Sequence, residues 1–476
     1  MKMLKSITRL MCMLALFNLA ITPGLNAQTF TNLYYFTMEG SATNSMGYPT
    51  GNPTNSDGAD SEAGLVLSGN TLYGTTDRGG YLGFGTVFVI NTDGTGFTNL
   101  YNFTNGYNHI SGLVLSSNTL YGTTTAIGGG SATVFAIKTD GTGFTNLLTN
   151  DNEISGLVLS SNTLYGTTTS GGTDGYGFIF AVNTDGTGFT NLYNFTTTNN
   201  NGSQPISGLV LSSNTLYGTT IQGGDFSGGT IFRINTDGTD YTDLCSFVIT
   251  SQSAPLPFGD LTLSGNKLYG ITAWGGSLGY SSIYAANTDG TGFTNLYSYN
   301  YPANPPQQPG NFGLALSGNT LYGTTAIDDG RCTVFAVNTD GTGYTILYNF
   351  TEPLFYTTNH ESYLTNSDGD APFGGVILSS NKLYGTALDG GYFGSGTVYS
   401  LSLPPPQLAI SLFGTNVILM WPTNRTGFIL QSATNLVSPV WSVVNGQNAV
   451  TNPISGTQQF FRLSKASLAL EERTAH

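Results

Sequence analysis

The string Leu-Tyr-Gly occurs seven times in the chain, with its tyrosines at Tyr73, Tyr121, Tyr165, Tyr217, Tyr269, Tyr322 and Tyr384. The successive spacings are 48, 44, 52, 52, 53 and 62 residues. A period near 50, built from short apolar runs between turn residues, points to propeller blades and away from helical solenoids. Composition agrees. Gly fills 65 of 476 positions and would weaken helices, while 8 % charge with 12 % aromatics does not suit a disordered chain.

One unit shows the plan. Residues 206–212 form a short apolar run, Ser213-Asn214 a tight turn, and residues 215–220 an alternating second strand. Gly223-Gly224 opens a loop, residues 229–234 are apolar on both faces, Asn235-Thr236-Asp237-Gly238 turns the chain, and residues 241–247 make a fourth strand. Short turns impose an antiparallel meander, and two apolar faces mean that each sheet is covered on both sides. Length varies mainly in the link between units, short at 149–155 and long at 37–62 and 351–373.

The copy numbers of the strands differ at the two ends. The third strand at 396–401 runs into Pro404-Pro405-Pro406 with no fourth strand after it. An extra fourth-strand copy, Phe-Thr-Asn-Leu-Tyr-Tyr-Phe, stands at 30–36, before the first full unit. The expectation is an all-β chain whose seven-bladed β-propeller is closed by the N-terminal strand, because closure removes the free sheet edges.

The run from Leu164 through Gly171-Gly172 to Phe195 resembles a Kelch-type blade. More closely, the pattern resembles the GloVer tandem repeat of secreted bacterial proteins. Its Asp-Gly-x-x-Pro-x-x-Gly-Leu motif appears as Asp368 to Val376 and as Asn201 to Leu209. The resemblance spans about residues 29–402. It implies an extracellular or surface propeller and brings no catalytic residue with it. Members often end in a hydrophobic sorting anchor, whereas the last residues here include Glu471, Glu472 and His476, so no membrane anchor is expected.

The flanks carry other signals. Lys2, Lys5 and Arg9 precede an apolar run from Leu10 to about Ile21, and Leu25-Asn26-Ala27 matches a cleavage site. Residues 1–27 therefore read as a secretory signal peptide, 28–402 as the propeller, 403–465 as a small β-sandwich and 466–476 as a tail. The sandwich resembles a trimmed fibronectin-type domain with five strands, and Trp421 and Trp441 are expected in its core. After cleavage ten Lys+Arg face 27 acids, a net charge of −17 that repels nucleic acid and anionic membranes. Only Cys245 and Cys332 remain, too few for a disulfide framework.

Repeated residues make poor catalysts, since a reaction needs each group once. The seven tyrosines read as packing residues. Asp93, Asp140, Asp185, Asp237, Asp289 and Asp340 read as Asp-Gly turn residues, with calcium as the alternative. Two links hold more oxygen ligands. Asn55, Asp57 and Asp60 lie before the first unit, and Asn366, Asp368 and Asp370 before the last. Closure makes these links neighbours, and Asp57, Asp60, Asp368 and Asp370 are the candidate calcium ligands. A Gly-x-Ser-x-Gly match at Gly275–Gly279 lies between strands, not between a strand and a helix, so Ser277 is no nucleophile. His109, His360 and His476 form no metal motif.

The Gly-Gly loops and the variable links share one face. It collects Tyr81, Phe84, Tyr176, Phe226, Trp274, Tyr280, Tyr392 and Phe393 with Asp77, Asp174, Asp225, Asp328, Asp329 and Asp389. Aromatics among acids suit neutral sugars or protein loops. The expected ligand-binding residues are Trp274, Tyr81, Tyr176, Phe226, Tyr280, Tyr392, Asp328 and Asp389, with Trp274 as anchor. The resulting expectation is a secreted, monomeric, non-catalytic propeller that binds a glycan or protein, with no nucleic acid and no transmembrane segment. The alternative is a glycoside hydrolase or polysaccharide lyase that uses Asp328 or Asp329 with Asp389 as its carboxylate pair.

Overall fold

The computed structural model describes residues 28–40, 52–104, 109–125, 131–196, 201–248, 255–273, 281–299, 308–309, 313–326, 332–358, 361–404, 408–413, 416–420, 428–434, 440–444, 449–453 and 459–465. Every element among them is a β-strand. No helix among the described residues is long and apolar enough to cross a membrane. Two compact units result: Phe30–Ser400, and the described residues from Leu401 onward.

Within Phe30–Ser400 each repeat forms an antiparallel meander. In one of them Val210–Ser212, Thr215–Thr220, Ser227–Asn235 and Thr242–Val248 pair in chain order. The first strand is shorter than the apolar run predicts. Only Val210, Leu211 and Ser212 pair with the second strand. Gly208 leaves the ladder because its N–H is donated to Asp260 Oδ1 of the next repeat, at 2.6 Å.

The Leu-Tyr-Gly string is explained by what lies across the ladder. Gly218 pairs with Phe232, and a Cβ on Gly218 would stand 2.5 Å from that ring. The same close approach joins Gly74 to Phe88, Gly166 to Phe180 and, with a tyrosine ring, Gly385 to Tyr399. The glycine thus leaves room for a ring in the core. The tyrosine before it points to the other face and packs on the next repeat. Tyr165, for example, shares a cluster with Leu209, Leu216 and Phe232. All seven of these tyrosines are 1–8 % exposed, as expected of packing residues.

The fourth strand carries the outer contacts. Its tyrosine stacks on the ring that opens the fourth strand of the next repeat: Tyr101 on Phe144, Tyr193 on Tyr241 and Tyr297 on Tyr344, each at 3.8 Å. Its terminal ring stands edge-on to the third-strand ring of the next repeat, as in Phe103–Phe135 and Phe195–Phe232. The Asp-Gly turns follow the same periodicity. Asp93 Oδ1 accepts Thr95 N–H and O–H at 2.9 and 2.7 Å, and five further turns repeat the motif from Asp140 to Asp340. Those hydrogen bonds hold the turn carboxylates below their ordinary pKa.

The extra N-terminal strand lies where the unequal copy numbers put it. Phe30–Tyr35 is hydrogen-bonded beside Thr397–Ser402, in a sheet completed by Lys382–Ala387 and Val376–Ser379. Tyr34 stacks on Phe97 at 3.7 Å, and Phe30 on Tyr348 at 4.0 Å. Phe36 is 0 % exposed and joins Tyr384 and Val398 of the last sheet to Leu72 and Phe88 of the first full one.

The C-terminal unit holds two three-stranded antiparallel sheets. One orders Ala409–Phe413, Asn416–Met420 and Ala449–Pro453; the other Ser442–Val443, Phe428–Ala433 and Phe460–Lys465. Leu419 and Leu430 share its core. Ala449–Pro453 is a sixth strand beyond the five expected, masked in the sequence by its Asn452-Pro453 end. Trp441 is half-buried under the Arg462 guanidinium, 4.1 Å from the ring centre, while Trp421 lies outside the described residues.

Two outcomes follow from this packing. Phe36→Ala should destabilise the repeat unit by about 3–5 kcal/mol in urea unfolding, as for any core aromatic; a loss under ~1 kcal/mol contradicts a joint between last and first sheets. Gly218→Ala should cost about 1–3 kcal/mol by overpacking, and Phe232→Leu in the same chain should recover most of it. A cost unaffected by the second substitution would mean that the ring is not what excludes the methyl.

Candidate functional site

The two oxygen-rich links share one local architecture. Asn55 Oδ1 accepts the N–H groups of Gly58 and Gly80 at 2.8 and 2.9 Å, and its Nδ2 donates to Gly58 O and Thr37 O. Asn366 repeats this with Gly369 and Gly391 N–H, and with Gly369 O and Thr351 O. Each asparagine therefore ties its link to a Gly-Gly loop and to the end of the preceding fourth strand.

The aspartates two residues on are strand clamps. Asp57 accepts the Tyr34 hydroxyl at 2.7 Å, the Thr37 N–H at 3.0 Å and the Thr37 hydroxyl. Asp368 accepts the Tyr348 hydroxyl at 2.6 Å, and the Thr351 N–H and hydroxyl, both at 3.0 Å. Both side chains are buried. At the equivalent position Asn201 reaches the Tyr193 hydroxyl through its amide, so the same clamp works without a charge.

The four candidate calcium ligands therefore separate. Asp57 and Asp368 hold strand ends, while Asp60 and Asp370 join a different group. Asp370 bridges Asp389 through two backbone hydrogen bonds at 2.7 and 3.1 Å. Ala59 forms the matching bridge with Arg78, and Asp60 N–H reaches Ser395 O at 3.3 Å. Arg78 Nε lies 3.2 Å from Asp60 Oδ2. The buried thiol of Cys332 donates to Asp370 Oδ1 at 3.1 Å. Asp60, Asp77, Asp370 and Asp389 thus face one another across the first and last sheets, with Arg78 as countercharge. Among the described residues no three His, Cys, Asp or Glu side chains group closely enough to hold a metal ion.

Electrostatics mark this group. Burial, with Asp77 and Glu62 nearby, pushes Asp60 up to about 6 against the pull of Arg78. Burial, then Asp60 and Asp370, pushes Asp389 up to about 7, again against Arg78. Low dielectric and like charges both penalise the ionised form.

The loop aromatics divide by exposure. Tyr81, Phe226 and Tyr392 are 73, 53 and 63 % exposed, and Leu82 and Phe393 stand beside two of them. Asp174 and Asp225 are also exposed. Tyr176 packs on the Tyr165–Phe195 cluster and Phe84 on the Tyr73–Phe103 cluster, which draws both partly inward. Tyr392 leans on Tyr35 at 4.6 Å. Trp274, Gly275–Gly279, Tyr280, Asp328, Asp329, His360 and His476 lie outside the described residues. Sequence reasoning missed Arg78, whose only signal was its place at the equivalent of Asp389, one residue before a Gly-Gly pair.

The raised carboxylates give a signed pH dependence. Between about pH 4 and 7 the folded chain holds protons on Asp60 and Asp389 that the unfolded chain has released. Stability then falls as pH rises through the folded values. Asp389→Asn should raise the unfolding free energy at pH 8 by about 1–3 kcal/mol and change it little at pH 4. Destabilisation at pH 8 would refute the like-charge account.

Comparison with known proteins accords with this architecture. Residues 148–330 match the family model of the Gloeobacter/Verrucomicrobia repeat. An oligogalacturonate lyase from Vibrio parahaemolyticus is 12 % identical with a TM-score of 0.50, covering 79 % of this chain and 97 % of its own. An oligogalacturonate lyase in complex with manganese gives 12 % and 0.47 over the same shares. A chain of a nidogen/laminin complex gives 17 % and 0.38, covering 56 % of this chain and 89 % of its own. No curated protein matches. Such low identities carry the fold alone, a propeller-like all-β one. Residues 148–330 of this chain are a run of the Gloeobacter/Verrucomicrobia repeat.

Proposed function

We propose that the repeats close into one seven-bladed propeller that acts outside the cell as a non-catalytic binding module. Its ligand is a neutral glycan or a protein loop, taken on the Gly-Gly loop face. The C-terminal sheets serve as a small fibronectin-like sandwich that spaces or attaches it. Closure is supported by the Tyr34–Phe97 stack, which has the geometry of the stacks between consecutive repeats. It is also supported by a cavity whose wall takes residues from all seven repeats, from Gly64 to Val376. Export is supported by the basic and apolar pattern of residues 1–27.

One contrast carries the binding reading. The aromatics of the second, third and fourth strands are buried or stacked on neighbours, whereas Tyr81, Phe226 and Tyr392 stand exposed on Gly-Gly loops, and Phe355 on the hairpin of the link before the last repeat. An exposed ring offers a flat apolar face to a sugar ring or an aliphatic side chain. The net charge of −17 after export selects a neutral or basic partner. Of the carboxylates that the hydrolase or lyase alternative needs, Asp328 and Asp329 lie outside the described residues, and Asp389 stands among Asp60 and Asp370.

The test is a glycan array and a secreted-protein binding screen, with Tyr81→Ala, Phe226→Ala and Tyr392→Ala measured singly. At least one substitution should weaken binding of the selected ligand by ~1–3 kcal/mol while the melting temperature stays within a degree or two. Undiminished binding in all three, or release of reducing ends from any polysaccharide, would sink the proposal.

A further inference from the structure

One cavity of about 450 Å³ is lined from all seven repeats, chiefly by the residues that lead into each first strand, and in five of them by an equivalent glycine. Gly64, Gly112, Gly156, Gly208, Gly313 and Gly375 occupy equivalent positions in six of the repeats. The room there varies: a Cβ on Gly64 would come within 3.0 Å of Gly374 O and one on Gly313 within 2.8 Å of Asp260 O, whereas one on Gly112 would meet nothing within 4 Å. The remaining repeat places Asp260 there. A carboxylate thus stands where every other copy has glycine, and one of its oxygens holds the Gly208 N–H.

Asp260 is only half-satisfied. Its Oδ1 accepts the Gly208 N–H at 2.6 Å, and its Oδ2 takes no hydrogen bond among the described residues. The side chain lines the cavity, is enclosed by protein on its other sides, and has its pKa pushed up by that burial. The remaining charged groups in the wall are Glu62 and Glu153, on the link side of Gly64 and Gly156, and the lining contains no Lys, Arg or His. Between them the wall mixes apolar side chains, among them Leu113, Ile154, Ile206 and Phe258, with Ser111, Ser155 and Ser207 and with glycine backbone. A dehydrated divalent ion needs several clustered oxygens, and no group of three acids approaches that among the described residues. A cavity with apolar side chains, three carboxylates and no basic group in its lining fits a cation borne on a hydrocarbon stem.

We propose that this cavity receives a primary ammonium on an aliphatic chain, with Asp260 Oδ2 as its counter-ion. The ligand is either a free alkylamine or the lysine side chain of a protein partner. The inference rests on closure of the repeats but not on the aromatic loop site.

The experiment is calorimetric or NMR titration of the full chain at pH 8 with n-pentylammonium, with 1-pentanol as neutral control and a lysine-centred tripeptide as third probe. Saturable binding of pentylammonium, absent for pentanol and weakened about tenfold or more in Asp260→Asn, is the expected result. Asp260→Gly restores the residue of the other repeats, so it should fold and also lose binding, which guards against a misfolded asparagine variant. Tripeptide binding at least as tight as pentylammonium assigns the site to a partner's lysine, and its exclusion assigns it to a free amine. Equal binding of pentanol, unchanged affinity in both Asp260 variants, or saturation by CaCl₂ in place of the amine overturns the proposal. A negative glycan screen with retained amine binding would reject only the loop-face reading; loss of binding in Tyr81→Ala with no change in Asp260→Gly would reject only this one.

Discussion

The structure depends on one recurring contact, present at five of the joints between sheets: the stack between a fourth-strand tyrosine and the ring that opens the next fourth strand, with Leu148 and Cys245 in the tyrosine's place at two others. Each isolated meander has apolar residues on both faces and could not stand alone in water. Burial against a neighbour is therefore obligatory, and the stacked pair fixes how the neighbour arrives. Planes within 3–8° of parallel at 3.7–4.0 Å leave little freedom of register between consecutive sheets. The glycine of Leu-Tyr-Gly works beneath the same interface, giving the third-strand ring a place to lie. Sequence uniformity of the repeat is then a consequence of interface uniformity, because every sheet must present the same two faces.

That logic made much of the fold readable from the chain. The period, the meander and the displaced strand at 30–36 all follow from counting apolar runs and turns, and Phe30–Tyr35 lies beside Thr397–Ser402 as the count required. What could not be read was how far each run pairs. The run 206–212 looks like one strand, but Gly208 spends its N–H on Asp260, fifty-two residues away. Ala449–Pro453 was missed for the opposite reason, since a segment rich in turn formers pairs along Asn416–Met420.

The candidate site was legible in part, and the failures have physical causes. Asp57 and Asp60 look alike in sequence, as do Asp368 and Asp370, yet each pair divides between two tasks. A carboxylate that can reach a tyrosine hydroxyl and a threonine N–H is held there, Asp57 through both oxygens and Asp368 through Oδ2 alone. Asp60 pairs with Arg78, and Asp370 accepts the Cys332 thiol. Asp389 belongs to their group because of a bridge to Asp370, and Asp60 meets it through a joint spanning more than three hundred residues of chain. No local motif encodes that meeting; it exists only once the first and last sheets are neighbours.

The same packing decides where variation is tolerated. The Asp-Gly turns are pressed against the fourth strand of the preceding repeat: a Cβ on Gly94 would meet Leu33 O at 3.0 Å, and one on Gly238 would meet Leu192 O at 3.0 Å. These turns sit inside the contact that joins sheets, and their sequence is held nearly constant by it. The first turns are two residues long and have no room to vary. The Gly-Gly loops differ, since their glycines are held by residues of the links, Asn55, Asn152, Asn201-Gly202 and Asn366, while the residues after them include exposed side chains. Tyr81-Leu82, Asp225-Phe226 and Tyr392-Phe393 occupy those positions. A scaffold whose interfaces use the strands and the Asp-Gly turns thus leaves one face chemically free. In those loops, and at Asp260 where the other repeats carry glycine, the repeats cease to be copies of one another.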